Sequence, residues 1–266
     1  MTPDSFSDGG RYVDSAAAVE RGHALVAAGA DLLDVGGEST RPGAEPVDAD
    51  EELRRVVPVV ERLAGEVDAP LSVDTTKAAV AAATVEAGAA IVNDVSAGRF
   101  DPDLLRVAAD RGAGVVLVHM LGEPRTMQDA PAYGDVVAEV GDFLLERVAA
   151  ARAAGVDDGA VCVDPGIGFG KTFEHNLVLL ARMRELVDRL GVPVLVGTSR
   201  KRFLGTILRD VAGEDGEPPP ERRDDATLAT VVLALDAGAR IVRVHEPQPA
   251  ARAVALLDAI RDADAA

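Results

Sequence analysis

The feature that most constrains this chain is a repeated rhythm. A helical stretch ends in a glycine suited to the left-handed C′ position, a short apolar run follows, and the run closes on polar residues. Gly29-Ala30 leads into Leu32 to Gly37, Gly88-Ala89 into Ile91 to Asp94, Gly112-Ala113 into Val115 to Met120, and Gly238-Ala239 into Ile241 to Glu246. Leu71 to Asp74, Val161 to Asp164 and Val194 to Ser199 complete seven strand candidates. Each is a near-continuous apolar run of the kind parallel strands show when both faces are covered. Helical patterns lie between them, with starts marked by Asp48 and Glu51 as a capping box and by Asp101 as N-cap with Pro102 at the first helical position. Pro58 falls inside the helix after Asp48 and is expected to kink it or mark its boundary. This alternation predicts a parallel α/β unit, either a closed β/α barrel or an open doubly wound sheet.

At 266 residues the chain has room for a single (β/α)8 TIM barrel, which needs about 250 residues as one unit. The expected organisation is one domain over 1–266, with a surface loop insertion at Asp210 to Arg223 around Gly216-Glu217-Pro218-Pro219-Pro220. Seven strands are one short of that barrel. Thr2 to Gly10 reads as the loop after a first strand, which would then precede Met1, so a longer native chain is expected.

Hydrophobic residues make up 48% of the chain, enough for a sizeable core, yet no apolar run approaches the roughly 20 residues a membrane helix needs. The N-terminus carries no basic patch ahead of an apolar stretch, so a soluble, cytoplasmic protein is expected. A formal net charge of −18 argues against nucleic acid and anionic membranes as partners. Arginines are plentiful while Lys77, Lys171 and Lys201 are the only lysines, a balance that suits either a high-salt cytoplasm or plain solubility. Cys162, the only cysteine, sits in an apolar run and reads as a buried, inert thiol. His23 and His175 read as helix residues without chemistry.

In β/α barrels the chemistry sits where the C-terminal strand ends converge. The exits here read Glu38-Ser39-Thr40-Arg41-Pro42, Asp74-Thr75-Thr76, Asn93-Asp94, His119-Met120, Asp164-Pro165-Gly166, Ser199-Arg200-Lys201-Arg202 and Arg243-Val244-His245-Glu246. Any one of these polar sets is explained as the N-cap of the next helix, but seven together suggest a site. Asp74, Asp164 and Asn93 would present acceptors and one amide to a planar heterocycle with amino and ring N–H donors. A metal site built from the same acids matches no compact ligand spacing. Ser199 to Arg202, with Arg243 and His245, gathers positive charge late in an acidic chain, where many barrels bind phosphate. Gly166 to Gly170 before Lys171-Thr172 is not a Walker loop, since only three residues separate the glycines, and it lacks the dinucleotide spacing as well.

Thr-Pro-Asp-Ser-Phe-Ser-Asp-Gly-Gly at 2–10, Asp-Val-Gly-Gly-Glu-Ser-Thr-Arg-Pro-Gly at 34–43, Asp-Pro-Gly-Ile-Gly-Phe-Gly-Lys at 164–171 and Ser-Arg-Lys-Arg-Phe at 199–203 resemble the dihydropteroate synthase family nearly end to end. The resemblance implies a Mg²⁺-assisted transferase of folate biosynthesis, homodimeric and a sulfonamide target. It would condense 6-hydroxymethyl-7,8-dihydropterin diphosphate with 4-aminobenzoate to give 7,8-dihydropteroate and diphosphate. By motif, Asp74, Asn93, Met120, Asp164, Gly197 and Lys201 would hold the pterin, and Thr40, Arg41, Arg243 and His245 the diphosphate. Phe6, Pro42 and Arg202 would shape the 4-aminobenzoate site, Asp8 would contact the metal, and loops 2–10 and 36–45 would close over the site. The sequence departs from the family's pattern in having no metal-binding Asn upstream of Thr2, and in Glu246 where the family carries Asp. Two rival expectations are a pterin-binding paralogue without condensation activity and a pterin-dependent methyltransferase; the latter has no use for the Ser-Thr-Arg-Pro and Ser-Arg-Lys anion elements.

Overall fold

All seven apolar runs form parallel strands, most of them shorter than the run that announced them. The structure, a computed structural model, describes residues 15–264 except 42, 214 and 215. In chain order the elements are α1 (Ser15–Ala27), β1 (Leu33–Gly36), α2 (Ala49–Glu66), β2 (Leu71–Asp74), α3 (Ala78–Glu86), β3 (Ile91–Asp94), α4 (Leu104–Asp110), β4 (Gly114–Val118), α5 (Val136–Ala153), β5 (Val161–Asp164), α6 (Phe173–Ala181), α7 (Met183–Leu190), β6 (Leu195–Val196), α8 (Arg202–Ala212), α9 (Asp224–Asp236), β7 (Ile241–Val242) and α10 (Pro247–Asp264).

Each strand pairs in parallel with the next in sequence, β1 to β5 forming one sheet and β6 with β7 another. The two sheets are joined where Val163 bridges Val194 and its N–H donates to the Pro193 carbonyl at 3.0 Å. Neighbours in space therefore follow chain order throughout. That is the order of a barrel; a doubly wound sheet reverses direction at a switch point. Among the described residues β7 and β1 share no strand pairing.

Side chains alternate strictly across the strands. Val73, Val92, Val115, Leu117, Val161, Val163, Val194 and Val196 face the helical layer and join one continuous apolar cluster with α3 to α9. Val116, Val118, Cys162 and Leu195 face inward with Ile91 and Ile241 and fill the barrel interior. The same period of two carries Asp34, Gly36, Ser72, Asp74, Asn93, Asp164, Gly197 and Arg243 inward. The register fixes their heights, pairing Gly36 with Asp74, Asp74 with Asn93 and Val118 with Asp164.

Two expected helix features change. Pro58 does not end α2, which runs 18 residues from Ala49 to Glu66. Pro58 is exposed, so the carbonyl that loses its partner faces water while Val56, Val59, Val60 and Leu63 stay buried. Asp101 caps the turn at Pro102 and Asp103, its Oδ1 accepting from Asp103 N at 3.1 Å, but α4 itself starts only at Leu104; the second oxygen, Oδ2, accepts from Ala78 N at 2.8 Å at the start of α3. The Asp48 cap forms as expected, accepting from Glu51 N at 2.8 Å, while the Glu51 side chain turns to Arg55. Within the expected loop insertion α8 extends to Ala212, and a single 3₁₀ turn spans Pro220–Arg223. No helix is long and apolar enough to cross a membrane among the described residues. Cys162 is buried as expected, and burial pushes its thiol up to about 12.

Candidate active site

The inward polar residues sit in the last layer of the barrel and border one cavity of about 1530 Å³. Asp74, Asn93, Asp164, Gly197, Lys201, Thr40, Arg41, Arg202, Arg243 and His245 all line it, so the structure brings these expected site residues to a single mouth. Met120 lies one shell behind, wholly buried in the interior cluster, with its carbonyl accepting from Arg99 at 2.9 Å. Phe6, Asp8 and Pro42 are outside the described residues. The cavity continues between β1 and β7, where Leu25, Leu33, Val254 and Leu257 line it.

The carboxylates form its floor. Asp164 closes β5 and accepts from Gly166 N at 2.7 Å, in a turn only glycine fits: Gly166 has φ +65°, and a Cβ there would drive into the His119 carbonyl oxygen. Burial pushes the Asp164 carboxyl up, opposed by the charge of Lys201. Asp74 is pushed up to about 7, first by burial and then by the neighbouring Asp34. Lys201 donates to the Ile167 carbonyl, lies 4.8 Å from the centre of the Phe169 ring, and is pushed down to about 8 by burial.

Asp34 is the functional residue that sequence reasoning missed. It received no role within its motif, yet its Oδ2 accepts from Arg243 Nε at 2.7 Å and from Asn93 Nδ2 at 3.2 Å. Arg243 also lies 3.6 Å from Asp74, and Asp34 is the main reason the guanidinium is held above its ordinary range. Asp34 Oδ1 and Asn93 Oδ1 are buried without a hydrogen-bond partner, two acceptors aimed at a ligand's donors. The available signal was an acid inside an apolar strand run at an inward position, between outward-facing Leu33 and Val35.

Cations border the same cavity, Arg243 touching the acids of the floor and others standing on the loop after β6. The Arg200 backbone is left-handed, at φ +59°, which lets Ser199 and Lys201 both border the cavity while the Arg200 side chain turns back to Asp224 at 2.8 Å. Such a conformation costs about 1–3 kcal/mol for a non-glycine residue and persists where neighbours enforce it. Here Arg200 N donates to Thr227 Oγ1 at 3.1 Å and Arg223 donates to the Arg200 carbonyl at 3.0 Å. Ser199 Oγ lies 2.8 Å from His245 Nδ1. Glu246 uses its extra length, reaching Arg21 at 2.8 Å and Arg200 at 3.6 Å. Arg202 opens α8 with its side chain turned out to Glu217 at 3.2 Å. Under the loop that carries Thr40 and Arg41, Lys77 is held between Glu38 and fully buried Glu52, 2.5 Å from each. His23 pairs with Glu66 and His175 completes the capping box of α6, both away from the mouth.

A floor of paired carboxylates and an amide suits a flat ring with N–H donors, and a wall of arginine, histidine and serine suits an anion attached to it. Comparison with known proteins agrees. Residues 1–245 match the family described as pterin binding enzyme. The chain is 50% identical to the dihydropteroate synthase of Mycobacterium leprae over 261 residues, 97% of this chain and 90% of that one. Among solved structures, Yersinia pestis dihydropteroate synthase in a sulfonamide drug complex superposes with a TM-score of 0.91 at 42% identity, covering 98% of this chain and 91% of that one. The Xanthomonas albilineans enzyme with 4-aminobenzoic acid gives 0.87 at 48% identity, covering 98% and 90%. The β/α barrel, its single polar mouth and these matches together place the chain in the family of pterin-binding enzymes, among the dihydropteroate synthases.

Proposed function

We propose that the chain is a transferase that condenses 6-hydroxymethyl-7,8-dihydropterin diphosphate with 4-aminobenzoate in folate biosynthesis. The observation that carries this reading is the common cavity of Asp74, Asn93 and Asp164 with Arg41, Arg243 and His245. Ring donors meet the acceptors of the floor while the leaving group meets the cations of the wall. The arylamine nitrogen attacks the exocyclic methylene, the carbon–oxygen bond to diphosphate breaks, and the amine gives up a proton. No protein nucleophile is needed, so positioning and charge supply the catalysis. Arg41, Arg243 and His245 neutralise the departing diphosphate, and Lys201 with Phe169 bounds the ring.

The expected Mg²⁺ belongs to this proposal. The ion would be held mainly by the substrate's phosphate oxygens and one or two carboxylates; among the described residues no group of three His, Cys, Asp or Glu comes together. Asp8 is the proposed protein contact. When bound, Mg²⁺ would add to the neutralisation of the diphosphate. Phe6, Pro42 and the start of α8 at Arg202 are proposed to form the 4-aminobenzoate site, where sulfonamides would compete. We further propose a cytoplasmic homodimer, on the family resemblance. The cation wall speaks against a pterin-dependent methyltransferase.

Purified protein given both substrates and Mg²⁺ should release one diphosphate per dihydropteroate formed. Asp164→Asn should lose at least about a hundredfold in kcat/KM while keeping its thermal transition, because the ring would lose a charge-assisted bond worth about 1.5–3 kcal/mol and its alignment. Retained pterin binding with no turnover by the unaltered protein would favour the non-condensing paralogue, and an active Asp164→Asn variant would contradict the ring assignment.

A further inference from the structure

The loop after β5 is fastened at every turn. Ile167 O accepts from Lys201, Gly168 O from Gln128 at 2.7 Å, Phe169 O from Lys171 at 3.0 Å and Gly170 O from Tyr133 at 2.8 Å. The four side chains come from three different stretches of chain, and of them Lys201 alone has so far been given a part in the site, although Gln128 and Lys171 border the same cavity. Lys171 is the unusual one. It is 3% exposed, and its hydrogen bonds go to a carbonyl and an imidazole rather than to a carboxylate, the other being to His119 Nδ1 at 2.9 Å. His119 ends the β4 run, is itself buried, and meets the Phe143 ring edge-on at 4.8 Å.

The composition adds an independent point. Of 27 basic residues only three are lysine, and the structure places all three at this end of the barrel, Lys77 and Lys201 half-buried and Lys171 buried. Where a chain otherwise uses arginine, a lysine marks a place for a compact amine that a planar guanidinium does not fit. Space at Lys171 is tight, because Gly166 and Gly170 press the loop against His119 and Leu121 so closely that a Cβ at either would collide.

We propose that Lys171 is a positioning residue for ring recognition: by tying the Phe169 carbonyl to His119 Nδ1 it holds residues 165–170 at the height where Asp164 and Lys201 meet the pterin. This rests on the pterin-binding reading above. Loss of the tie frees Phe169, whose ring lies beneath Lys201, and the Ile167 carbonyl, to which Lys201 is fastened. The electrostatics agree with the geometry. Burial, reinforced by Lys171, pushes His119 down to about 2, so the imidazole is neutral, and in the tautomer protonated on Nε2 its Nδ1 accepts from Lys171; burial also pushes Lys171 well below its ordinary range.

The test measures the Kd of 6-hydroxymethylpterin, a ring without a leaving group, on the full chain and its variants. Lys171→Met and His119→Phe should each weaken binding about tenfold, as expected for one buried polar group left unpaired, and the double variant should be little worse than either alone. His119→Asn places an amide oxygen near Nδ1 but discards the aromatic contacts, and it should stay within about threefold of the unaltered protein. A packing role for His119 predicts the opposite order, with Phe benign and Asn damaging. That order, or additive losses in the double variant, would overturn the proposal. Should Lys171→Met not fold, the Phe and Asn variants decide it alone. If the unaltered protein bound no 6-hydroxymethylpterin, the pterin reading would fall too; if it bound and the Phe–Asn order were reversed, only the role of Lys171 would fall.

Discussion

Asp34, Asp74 and Arg243 show how one charge sets another in this mouth. Asp74 is pushed up to about 7, because burial and Asp34 both oppose its ionisation, and Lys201 down to about 8, because burial opposes its charge. On the proposed ring assignment, binding needs Asp74 ionised and Lys201 protonated. The kcat/KM for the pterin diphosphate, which reports the free enzyme, should therefore fall below about pH 7 and above about pH 8. Asp34→Asn removes a charge that raises Asp74, so its acid limb should move to lower pH; an unmoved limb would show that Asp34 does not act on Asp74. For stability the sign is the reverse of the usual carboxylate case. The folded Asp74 binds its proton more tightly than the unfolded chain, so its contribution is fully present below the ordinary value of 3.8 and is lost as pH rises through about 7. Cavity-lining Asp74, Asn93, Asp164 and Lys201 were legible in the sequence because each closes an apolar run or follows one. Asp34 was not, because it lies inside a run and shows its direction only once the strand period is known.

At the scale of elements, the seven strands and most helices were legible from glycine stops, apolar runs and capping residues such as Asp48. The start of α4 shifted by two residues because the Asp101 cap closes a turn ahead of the helix, while its second oxygen serves Ala78 N of α3. Pro58 marks no boundary because a proline on the wet face of a long amphipathic helix forfeits a hydrogen bond that water replaces. The least legible link is the one between β2 and the loop after β1. Lys77 precedes α3, and its ion pairs with Glu38 and buried Glu52 join that loop to α2. Lys77→Met leaves Glu52 buried without its cation and should cost about 3–5 kcal/mol in denaturant unfolding. Adding Glu52→Leu should restore much of it, since an apolar pair replaces a broken ionic one. A Lys77→Met variant as stable as the original chain would show that the ion pairs do not hold this junction.

Across the whole molecule, a formal charge of −18 coexists with a cationic wall at one mouth. The balance of acid over base repels itself, and exposed ion pairs such as Arg106 with Asp103 and Asp110 contribute little individually. Raising NaCl from about 0.1 to about 1 M shortens the screening length from about 10 to about 3 Å and should raise Tm by a few degrees; a fall would mean that attractive pairs dominate. The barrel could be chosen over an open sheet only from strand order, which no sequence pattern fixes, and the convergence of seven exits on one cavity follows from that order. The measurement that bears on it most directly is a crystal structure of the protein with 6-hydroxymethylpterin and diphosphate bound together. The account predicts the ring edge on Asp74, Asn93 and Asp164 and the diphosphate on Arg41, Arg243 and His245, within one cavity; ring and anion held in separate cavities would contradict it.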